Sequence, residues 1–575
     1  MMPWIWLLAC RGGVTTTVSL PHTHVALVDD FRPKGPNGED LGRSRMDTAR
    51  EFFGNTNRDG DFAIFNPGNP GGGVRFAMPM STDLAPEGVS VDQLLGPTLN
   101  FDVQPTLEGI QLLLSGSGAI TARLEAPDGT ELWTQTQGFV RRDDKVIFDV
   151  DLPEPIKIGG FSVELIRGFA EVRRVELLLN ERRPFLDAVD ESFVYSYAQL
   201  SRCWDDTVGL VRAQCGPQED PVIYAPDATG LFALATAVGS DLGYVPEAVA
   251  RSIILSSRDA LLALPRDPVA GLLPDQTDGT SLAAGGTWSS LATAVALEST
   301  MLAAQAFELR TADLQGALED VVWDELTTNG GQPISGGFDS DNQAVSWDFG
   351  VFGSKSVLLQ VAHVGATGNF APMNLPFTPT WDGAGWDNEL AALFFPMDRP
   401  DWNGNDWVAW RSGAHWQHHT WSRDTPAGKL GLFGLSTAEV PEPWQLDGYA
   451  PSVSDWGVGG HNLVATDGLE AVGYSFYAPH YAAMVVGEFP KTAGVMLETL
   501  LDRNLLTAFN AVESVGTAEQ DVIRFNHRLR AWTLSLQTLG LGRALSGDGY
   551  LPYRLLDELP FLRDGHQTVL PLETE

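Results

Sequence analysis

The sequence predicts a multidomain protein, with an N-terminal β-sandwich followed by an all-α domain built as a barrel of paired helices. Three observations predict it. The length of 575 residues exceeds that of a single small module. The period of the apolar residues changes from alternation to three- and four-residue steps near Val189. Two helical segments, Leu231–Val238 and Leu291–Phe307, are apolar nearly all round, which indicates an inner ring.

The β-sandwich is predicted over residues 27–185, after a signal and tether over residues 1–26. Short alternating segments recur about every ten residues, separated by turn pairs such as Asp128-Gly129 and Gly159-Gly160. The predicted strands are Leu99–Val103, Gly109–Leu114, Ala119–Glu125, Val146–Leu152, Phe161–Ile166 and Val172–Leu179. The opening LeuValAspAspPhe (27–31) and the strand-rich remainder resemble jelly-roll carbohydrate-binding domains.

One loop of this domain has oxygen-bearing side chains at alternate positions, Asn55, Asn57, Asp59 and Asp61, with Gly60 among them. Such spacing suits a hard cation such as calcium. An EF-hand would need a bidentate Glu at its last position, where this chain has Asn66. The alternatives are a structural calcium site and a plain turn rich in Asn and Asp.

The helical domain is predicted over residues 186–575, and its helices are joined by long loops rich in Gly, Pro and Trp. The predicted helices are Phe193–Trp204, Ala225–Ser240, Pro246–Leu264, Ser289–Phe307, Ala312–Thr327, Ser354–Val364, Trp386–Phe395, Lys491–Asp502 and Glu519–Leu539.

The first residues predict export. The apolar run that ends in Leu-Leu-Ala-Cys10 resembles a bacterial lipoprotein signal, which would place the protein on a lipid anchor at the cell envelope, although no Lys or Arg precedes the run. Cys203 and Cys215 are then expected to form a disulfide. No later apolar run is long enough to span a membrane, so contact with membrane is expected only through the anchor.

Charge and tryptophan content indicate the partner. With 37 basic and 74 acidic residues the net charge is −37, which has the wrong sign for nucleic acid. Nine of the 17 tryptophans lie in a segment that also holds several histidines, residues 381–456. Indole faces stack on sugar rings and polar groups bind the hydroxyls, so a neutral oligosaccharide or polysaccharide is the expected partner.

Several motifs resemble the bacterial glucoamylase-like family. They are AspAlaThrGlyLeuPhe (227–232), GlyLeuPheGlyLeuSerThrAla (431–438), ThrAspGly (466–468), TyrAlaProHisTyrAlaAla (477–483) and LeuThrAlaPheAsn (506–510), in the family's order. The resemblance implies an (α/α)6 barrel and a relationship to glycoside hydrolases, among them inverting endo-β-1,2-glucanases. No cofactor is expected for that chemistry.

Inverting hydrolysis needs a protonated carboxyl and an ionised carboxylate facing one cavity. Glu389 matches the family's catalytic glutamate, and the aromatic residues around it are expected to raise its pKa, as a general acid requires. The alternative is a first-turn Glu that interacts with the helix dipole. Asp467, in the Asp-Gly loop, is the expected base unless it is an ordinary turn residue, and Asp455 is the alternative base.

The sequence departs from the family at one helix start. The family's two acids, one helical turn apart, align here with Ser289 and Ala292, which are neutral. Other acids would then carry the chemistry, or the substrate differs, or the protein binds glycan without cleaving it.

The remaining candidates are aromatic and polar residues that would contact sugar. They are Trp381, Trp386, Asp387, His415, Trp416, His418, His419, Trp421, Trp456 and His480. Three clustered imidazoles could instead hold a metal for a lyase reaction, but no Glu lies near them in the sequence and no metal ligand is assigned. The expected function is an inverting β-glucan hydrolase, and the alternative is a non-catalytic glycan-binding surface lipoprotein.

Overall fold

The computed structural model describes most of the chain. The described residues are 23–29, 31, 50–59, 62–68, 71–77, 106–126, 128–150, 159–180, 188–214, 222–327, 332–350, 354–372, 385–402, 404–423, 425, 427–436, 438, 475–503, 505–506, 511–517, 523–526 and 529–571. The N-terminal part is rich in β-strands and the rest is mainly helical.

Eight strands form one antiparallel sheet in the N-terminal region. They are β1 (Thr23–Asp29), β2 (Arg50–Phe53), β3 (Thr56–Asp59), β4 (Phe62–Phe65), β5 (Gly73–Ala77), β6 (Thr106–Glu125), β7 (Glu131–Asp149) and β8 (Gly160–Asn180). Strand β8 pairs with β6 along its length and with β1, β4 and β5 on its other edge. Apolar side chains of β8 such as Phe161, Val163 and Leu165 are fully buried, so one face of the sheet packs into a core.

The structure has long strands where the sequence predicts short ones. Gly109–Leu114 and Ala119–Glu125 both belong to β6, and the break between them is a run of irregular pairing around glycines. At Gly168 φ is +90°, and a Cβ there would lie 2.0 Å from the carbonyl oxygen of Ser117. The glycines therefore mark a bend within paired strands instead of a turn between them. The predicted strand at Leu99–Val103 lies outside the described residues.

The stretch proposed for calcium folds as a hairpin. Strands β3 and β4 pair with Asp59 opposite Phe62, and the Asn55 side chain donates a 3.2 Å hydrogen bond to the carbonyl of Pro67. Asp61 lies outside the described residues, so calcium stays a prediction. The strand β1 begins at Thr23, four residues before the predicted start of the β-sandwich at residue 27.

Fourteen α-helices are described after the sheet. They are α1 (Ala188–Ser201), α2 (Pro226–Asp241), α3 (Glu247–Ala263), α4 (Ser290–Ala306), α5 (Ala312–Glu319), α6 (Trp323–Leu326), α7 (Ser354–Thr367), α8 (Gly385–Glu389), α9 (Trp407–Arg423), α10 (Pro479–Val485), α11 (Pro490–Asp502), α12 (Ala531–Ser546), α13 (Leu551–Leu555) and α14 (Pro560–Val569). Short strand pairs join some of them: β9 (Trp204–Asp205) with β10 (Leu210–Val211), β11 (Trp288–Ser289) with β12 (Gly337–Phe338), and β13 (Ser475–Tyr477) with β14 (Ser514–Thr517) and β15 (Ile523–Asn526).

Six helices contact one another in a closed ring. The order is α2, α4, α7, α8 with its 3-10 extension Leu390–Leu393, α10, α12 and back to α2. The helices α1, α3, α5, α9, α11 and α14 pack on the outside of this ring. The prediction that Leu231–Val238 and Leu291–Phe307 are inner helices is confirmed, because these segments form α2 and α4.

Three predictions for the helical region are wrong. Ala312–Thr327 is two helices, because α5 ends at Glu319 and α6 begins at Trp323. Glu519–Leu539 is not one helix, because strand β15 ends at Asn526 and α12 begins at Ala531. No helix is predicted between Phe395 and Lys491, where the structure has α9 and α10. The buried face of α9 holds Trp407, Trp410, His415 and His418. Among the described residues no helix has the length and apolarity needed to cross a membrane.

Cys203, at the end of α1, is disulfide-bonded. Its predicted partner Cys215 lies outside the described residues, as does Cys10.

Candidate functional site

Glu389, the predicted acid, is the last residue of α8 and is fully buried in a network of charged groups. Arg411 Nε lies 3.1 and 3.0 Å from its two carboxylate oxygens, and His415 Nε2 lies 3.0 Å from Oε1. Arg411 also donates to Glu488 at 2.5 Å. Arg543 donates to Glu488 at 3.1 Å and lies 3.7 Å from Glu389. We call these five residues the buried ion network, in which Glu488 is the exposed member, with 38% of its side chain exposed.

The expected rise in the pKa of Glu389 is wrong. Burial alone would raise it, but the charge of Arg411 and the hydrogen bond from His415 outweigh burial and hold the pKa well below its usual range. Arg411 responds in the opposite direction, and its pKa is raised by the two glutamates against the effect of burial. A carboxyl held ionised has no proton to give at neutral pH, so the geometry does not support Glu389 as the general acid.

The buried ion network has the donors of a metal site but already holds its own cations. One ligand atom each from Glu389, His415 and Glu488 lie within 4.8 Å of one another. Arg411 and Arg543 donate to these carboxylates and neutralise their charge without a metal.

The predicted sugar-binding residues of α9 do not share one surface. His415 and His418 are about 1% exposed, and the Nδ1 of His418 accepts a 3.1 Å hydrogen bond from the backbone of Leu435. Burial first, and then the charge of His415, lowers the pKa of His418 to about 3. Trp416 is 61% exposed, and its ring packs edge-on against His419. The helical spacing therefore separates these residues onto opposite faces of α9.

The segments that lead into the ring helices are joined to one another. The backbone of Tyr224, just before α2, pairs with Thr277, and Pro274 pairs with Trp288, just before α4. The backbone NH of Ala531, at the start of α12, donates to Ala213 at 3.0 Å. The N-terminal ends of the ring helices therefore gather at one end of the ring. We call this end the mouth, and its side chains are Asp227, Asp275, Trp288, Lys355, Trp386, Asp387, His480 and Trp532.

Aromatic and charged groups of three ring helices meet at the mouth. The indoles of Trp386 and Trp532 pack edge to face at 5.6 Å between ring centroids. Lys355, in the first turn of α7, pairs with Asp387 Oδ2 at 2.7 Å and lies 4.9 Å from the Trp386 ring. The Asp387 side chain is 22% exposed, and its Oδ1 has no hydrogen-bond partner among the described residues. Half-buried indoles can stack on a sugar ring, and a neighbouring carboxylate can accept hydrogen bonds from its hydroxyls.

Two further carboxylates lie at the mouth, at α2 and at the segment before α4. Asp227 is in the first turn of α2 and accepts a 2.7 Å hydrogen bond from the NH of Ala228. Asp275 accepts hydrogen bonds from the NH and hydroxyl of Thr287 at 2.7 and 3.1 Å. Burial, with the charge of Asp275, raises the pKa of Asp227 to about 7, and burial also raises the pKa of Asp275.

The positions of the missing family acids have structural roles. Ser289 is the N-cap of α4, and its hydroxyl accepts a hydrogen bond from the NH of Ala292 at 3.1 Å. Ala292 is 3% exposed. The segment that carries Asp275 runs beside this cap, because the NH of Ser289 donates to the carbonyl of Leu273 at 2.9 Å.

His480 is at the start of α10 and is 1% exposed. Its Nε2 is buried and has no hydrogen-bond partner within the described part of the chain. Burial and the charge of Arg530 lower the pKa of His480 to about 3, so the imidazole is neutral at physiological pH.

Several predicted residues lie outside the described residues: Trp381, Asp455, Trp456, Asp467 and the side chain of Trp421. Sequence reasoning missed Lys355, Trp532, Asp275 and the role of Asp227 at the mouth. The signal at Asp227 was present, because an acid directly after a proline at a helix start indicates a first-turn residue.

Comparison with known proteins places the fold. No family model and no curated protein matches the chain. A β-1,2-glucanase from Parabacteroides distasonis superposes with a TM-score of 0.54 at 10% identity, over 96% of this chain and 100% of its own. An endo-β-1,2-glucanase from Chitinophaga pinensis superposes with a TM-score of 0.51 at 11% identity, over 67% of this chain and 98% of its own. A glucoamylase-like protein from Bacteroides fragilis superposes with a TM-score of 0.53 at 12% identity, over 68% of this chain and 98% of its own.

The fold is that of glucoamylase-like helical barrels. The resemblance predicted from the motifs is thereby confirmed for the fold. The likeness to the Parabacteroides protein spans both the sheet-rich and the helical region, since it covers 96% of this chain.

Proposed function

We propose that this chain is a glycoside hydrolase that acts on a β-glucan, with a β-1,2-glucan-like chain as substrate, at the mouth of an (α/α)6 barrel. The observation that carries this proposal is the gathering of two indoles, a Lys–Asp pair and two carboxylates with raised pKa values at one end of the helix ring. Indoles bind sugar faces, and carboxyls that differ in protonation can cleave a glycosidic bond. The names of the solved relatives add support for the substrate class.

We propose an inverting mechanism, in which one carboxyl protonates the leaving oxygen and one carboxylate activates water. Asp467 and Asp455 remain candidates for the base. Glu389 is not proposed as the acid, because the buried ion network keeps it ionised.

The test is incubation of the full chain with β-1,2-glucan and with β-1,3-, β-1,4- and α-1,4-glucans, followed by chromatography of the products. Shortened β-1,2-linked products support the proposal, and NMR of the first-formed anomer, expected to be α, reports inversion. An intact β-1,2-glucan after prolonged incubation contradicts it.

A second candidate function is glycan binding without cleavage. It is favoured by the neutral Ser289 and Ala292, where the resembling family has acids, and by the buried pairing of Glu389. If calorimetry shows binding of β-1,2-gluco-oligosaccharides and no shortened products form, the result supports glycan binding over hydrolysis.

We propose that the protein is exported and lipid-anchored through Cys10. The disulfide at Cys203 supports an oxidising compartment. Incorporation of labelled palmitate in a bacterial host, and its loss in Cys10→Ser, tests the anchor.

A further inference from the structure

We propose that Asp227 is the general acid of the mouth and that Asp275 is the positioning residue that keeps its proton in place. This assignment rests on the proposed function, since a general acid needs a glycosidic bond to cleave. Asp227 provides the acid that is missing at Ser289 and Ala292, which are both neutral.

Asp227 lies opposite helix α8 in the ring. Asp227 is in the first turn of α2, so it lies at the mouth, where it is half-buried. In the closed ring, α8 is three places from α2, so the two helices face each other across the mouth. The first turn of α8 carries Trp386 and Asp387, the aromatic and carboxylate groups suited to hold a sugar. A bound sugar would therefore lie between Asp227 and Asp387.

A second carboxylate, Asp275, lies on the segment that pairs with the chain just before α2. The pairing of Tyr224 with Thr277 brings Asp275 alongside the start of α2. Two hydrogen bonds from Thr287 fix the Asp275 carboxylate, and its charge acts on Asp227. Two close carboxyls in a half-buried place disfavour double ionisation, and one of them keeps a proton.

The other charged groups near the start of α2, Asp205 and Arg212, are already paired with each other. The hydroxyl of Tyr224 donates to Asp205 at 3.0 Å, and Arg212 lies 3.7 Å from the same carboxylate. Arg212 is therefore engaged with Asp205, and among these groups it is the charge of Asp275 that acts on Asp227.

The Asp227 carboxyl gives its proton to the glycosidic oxygen while the bond between that oxygen and the anomeric carbon breaks. A water molecule forms the new bond to the anomeric carbon and gives a proton to the base, an ionised carboxylate on the other side of the sugar, which then releases this proton to solvent. Asp227 then regains a proton from solvent.

The experiment compares Asp227→Asn with the wild-type full chain on two substrates, β-1,2-glucan and 2,4-dinitrophenyl β-sophoroside. Asn can still accept the hydrogen bond from Ala228, so the fold is kept, and circular dichroism checks this. The rate on glucan is expected to fall ~100-fold or more, the usual effect of losing a general acid. The aryl substrate has a leaving group that needs no protonation, so its rate is expected to fall far less.

The pH profile gives a second readout. Wild-type activity on glucan is expected to fall as the pH rises through about 7, where Asp227 loses its proton. Asp275→Asn removes the neighbouring charge and is expected to move this limb to lower pH, because the charge of Asp275 raises the pKa of Asp227. The control is Glu191→Gln on α1, because burial also raises the pKa of Glu191 to about 7 but Glu191 lies outside the mouth. It is expected to keep wild-type activity.

The activities on the two substrates test the assignment of Asp227 separately from the proposed function. Full activity of Asp227→Asn on glucan, or an equal loss on both substrates, overturns the assignment while the proposed function stands. A wild-type chain that cleaves neither substrate overturns the proposed function and the assignment with it. Carbon-13 NMR of the Asp227 carboxyl in the wild-type chain is independent of activity, and ionisation throughout pH 5.5 to 9 overturns the assignment even if the variant fails to fold.

Discussion

At the scale of single residues, the partners of a buried carboxyl decide its protonation state. Glu389 and Glu298 are both fully buried. Glu389 has two arginines and a histidine within reach, and its pKa is lowered. Both oxygens of Glu298, on α4, have no hydrogen-bond partner among the described residues, and burial raises its pKa well above the usual value. Sequence reasoning recognised burial at Glu389, but Arg411 is 22 positions away and nothing in the sequence joined the two.

Glu389→Gln is expected to lower the free energy of unfolding by ~3–5 kcal/mol, because it leaves buried guanidinium groups without their charge partner. The pKa of Glu389 is depressed in the folded protein, so its contribution is present above the usual value of 4.5 and is lost as the pH falls below it. Urea unfolding at pH 7 and pH 4 measures this difference.

The matched control for that change is Glu498→Gln on α11, where the side chain is exposed and the effect is expected to be close to zero. A loss in Glu389→Gln no larger than in Glu498→Gln would show that the buried ion network does not hold the helices together.

Glu298→Gln is expected to remove an alkaline instability. The folded protein holds a proton on Glu298 that the unfolded chain gives up above pH 4.5, so wild-type stability falls as the pH rises. The variant should gain relative to wild type by up to about 1.4 kcal/mol for each pH unit. Urea unfolding at pH 5, 6.5 and 8 tests this, with the exposed Glu319→Gln on α5 as the control. A difference that stays constant with pH would mean that Glu298 is ionised when folded.

At the scale of elements, apolar periodicity predicted the helices whose burial is simple and missed those with mixed surfaces. Helices α2 and α4 are apolar on all sides because ring neighbours and outer helices cover them. Helix α9 combines buried Trp407 and Trp410 with an exposed Trp416, so its density of aromatic and polar residues resembles that of a binding loop. Contacts with residues distant in the sequence decide which side chains of α9 are buried. A local sequence pattern does not contain those contacts.

Ser289→Ala is expected to destabilise the protein by about 1 kcal/mol, since the hydroxyl that caps α4 is lost. Ser289→Asp should keep the cap, because a carboxylate also accepts from the backbone NH. Thr311→Ala is the control, as Thr311 is the N-cap of α5 without a side-chain hydrogen bond. Thermal unfolding of the three variants measures the difference. Equal unfolding temperatures for Ser289→Ala and Thr311→Ala would contradict a capping role for Ser289.

At the scale of the whole molecule, the ring determines which residues can act together. Sequence order predicted a two-region protein with a helical barrel and the family that it resembles in fold. It did not show which ends of the ring helices meet, so residues of the mouth such as Asp227, Asp275 and Trp532 were missed while Trp416 was included. The mouth is built from several segments that are spread between residues 213 and 531 of the chain. Only the closed ring brings these segments together.

The central claim is that sugar binds at the mouth of the ring and not along α9. Calorimetric titration of a β-1,2-gluco-oligosaccharide into Trp386→Ala and Trp416→Ala tests it most directly, with circular dichroism to confirm folding. Loss of one stacking indole at the mouth is expected to raise Kd about tenfold, or ~1.4 kcal/mol, while Trp416→Ala binds like wild type. Weakened binding in Trp416→Ala together with unchanged binding in Trp386→Ala would contradict the account.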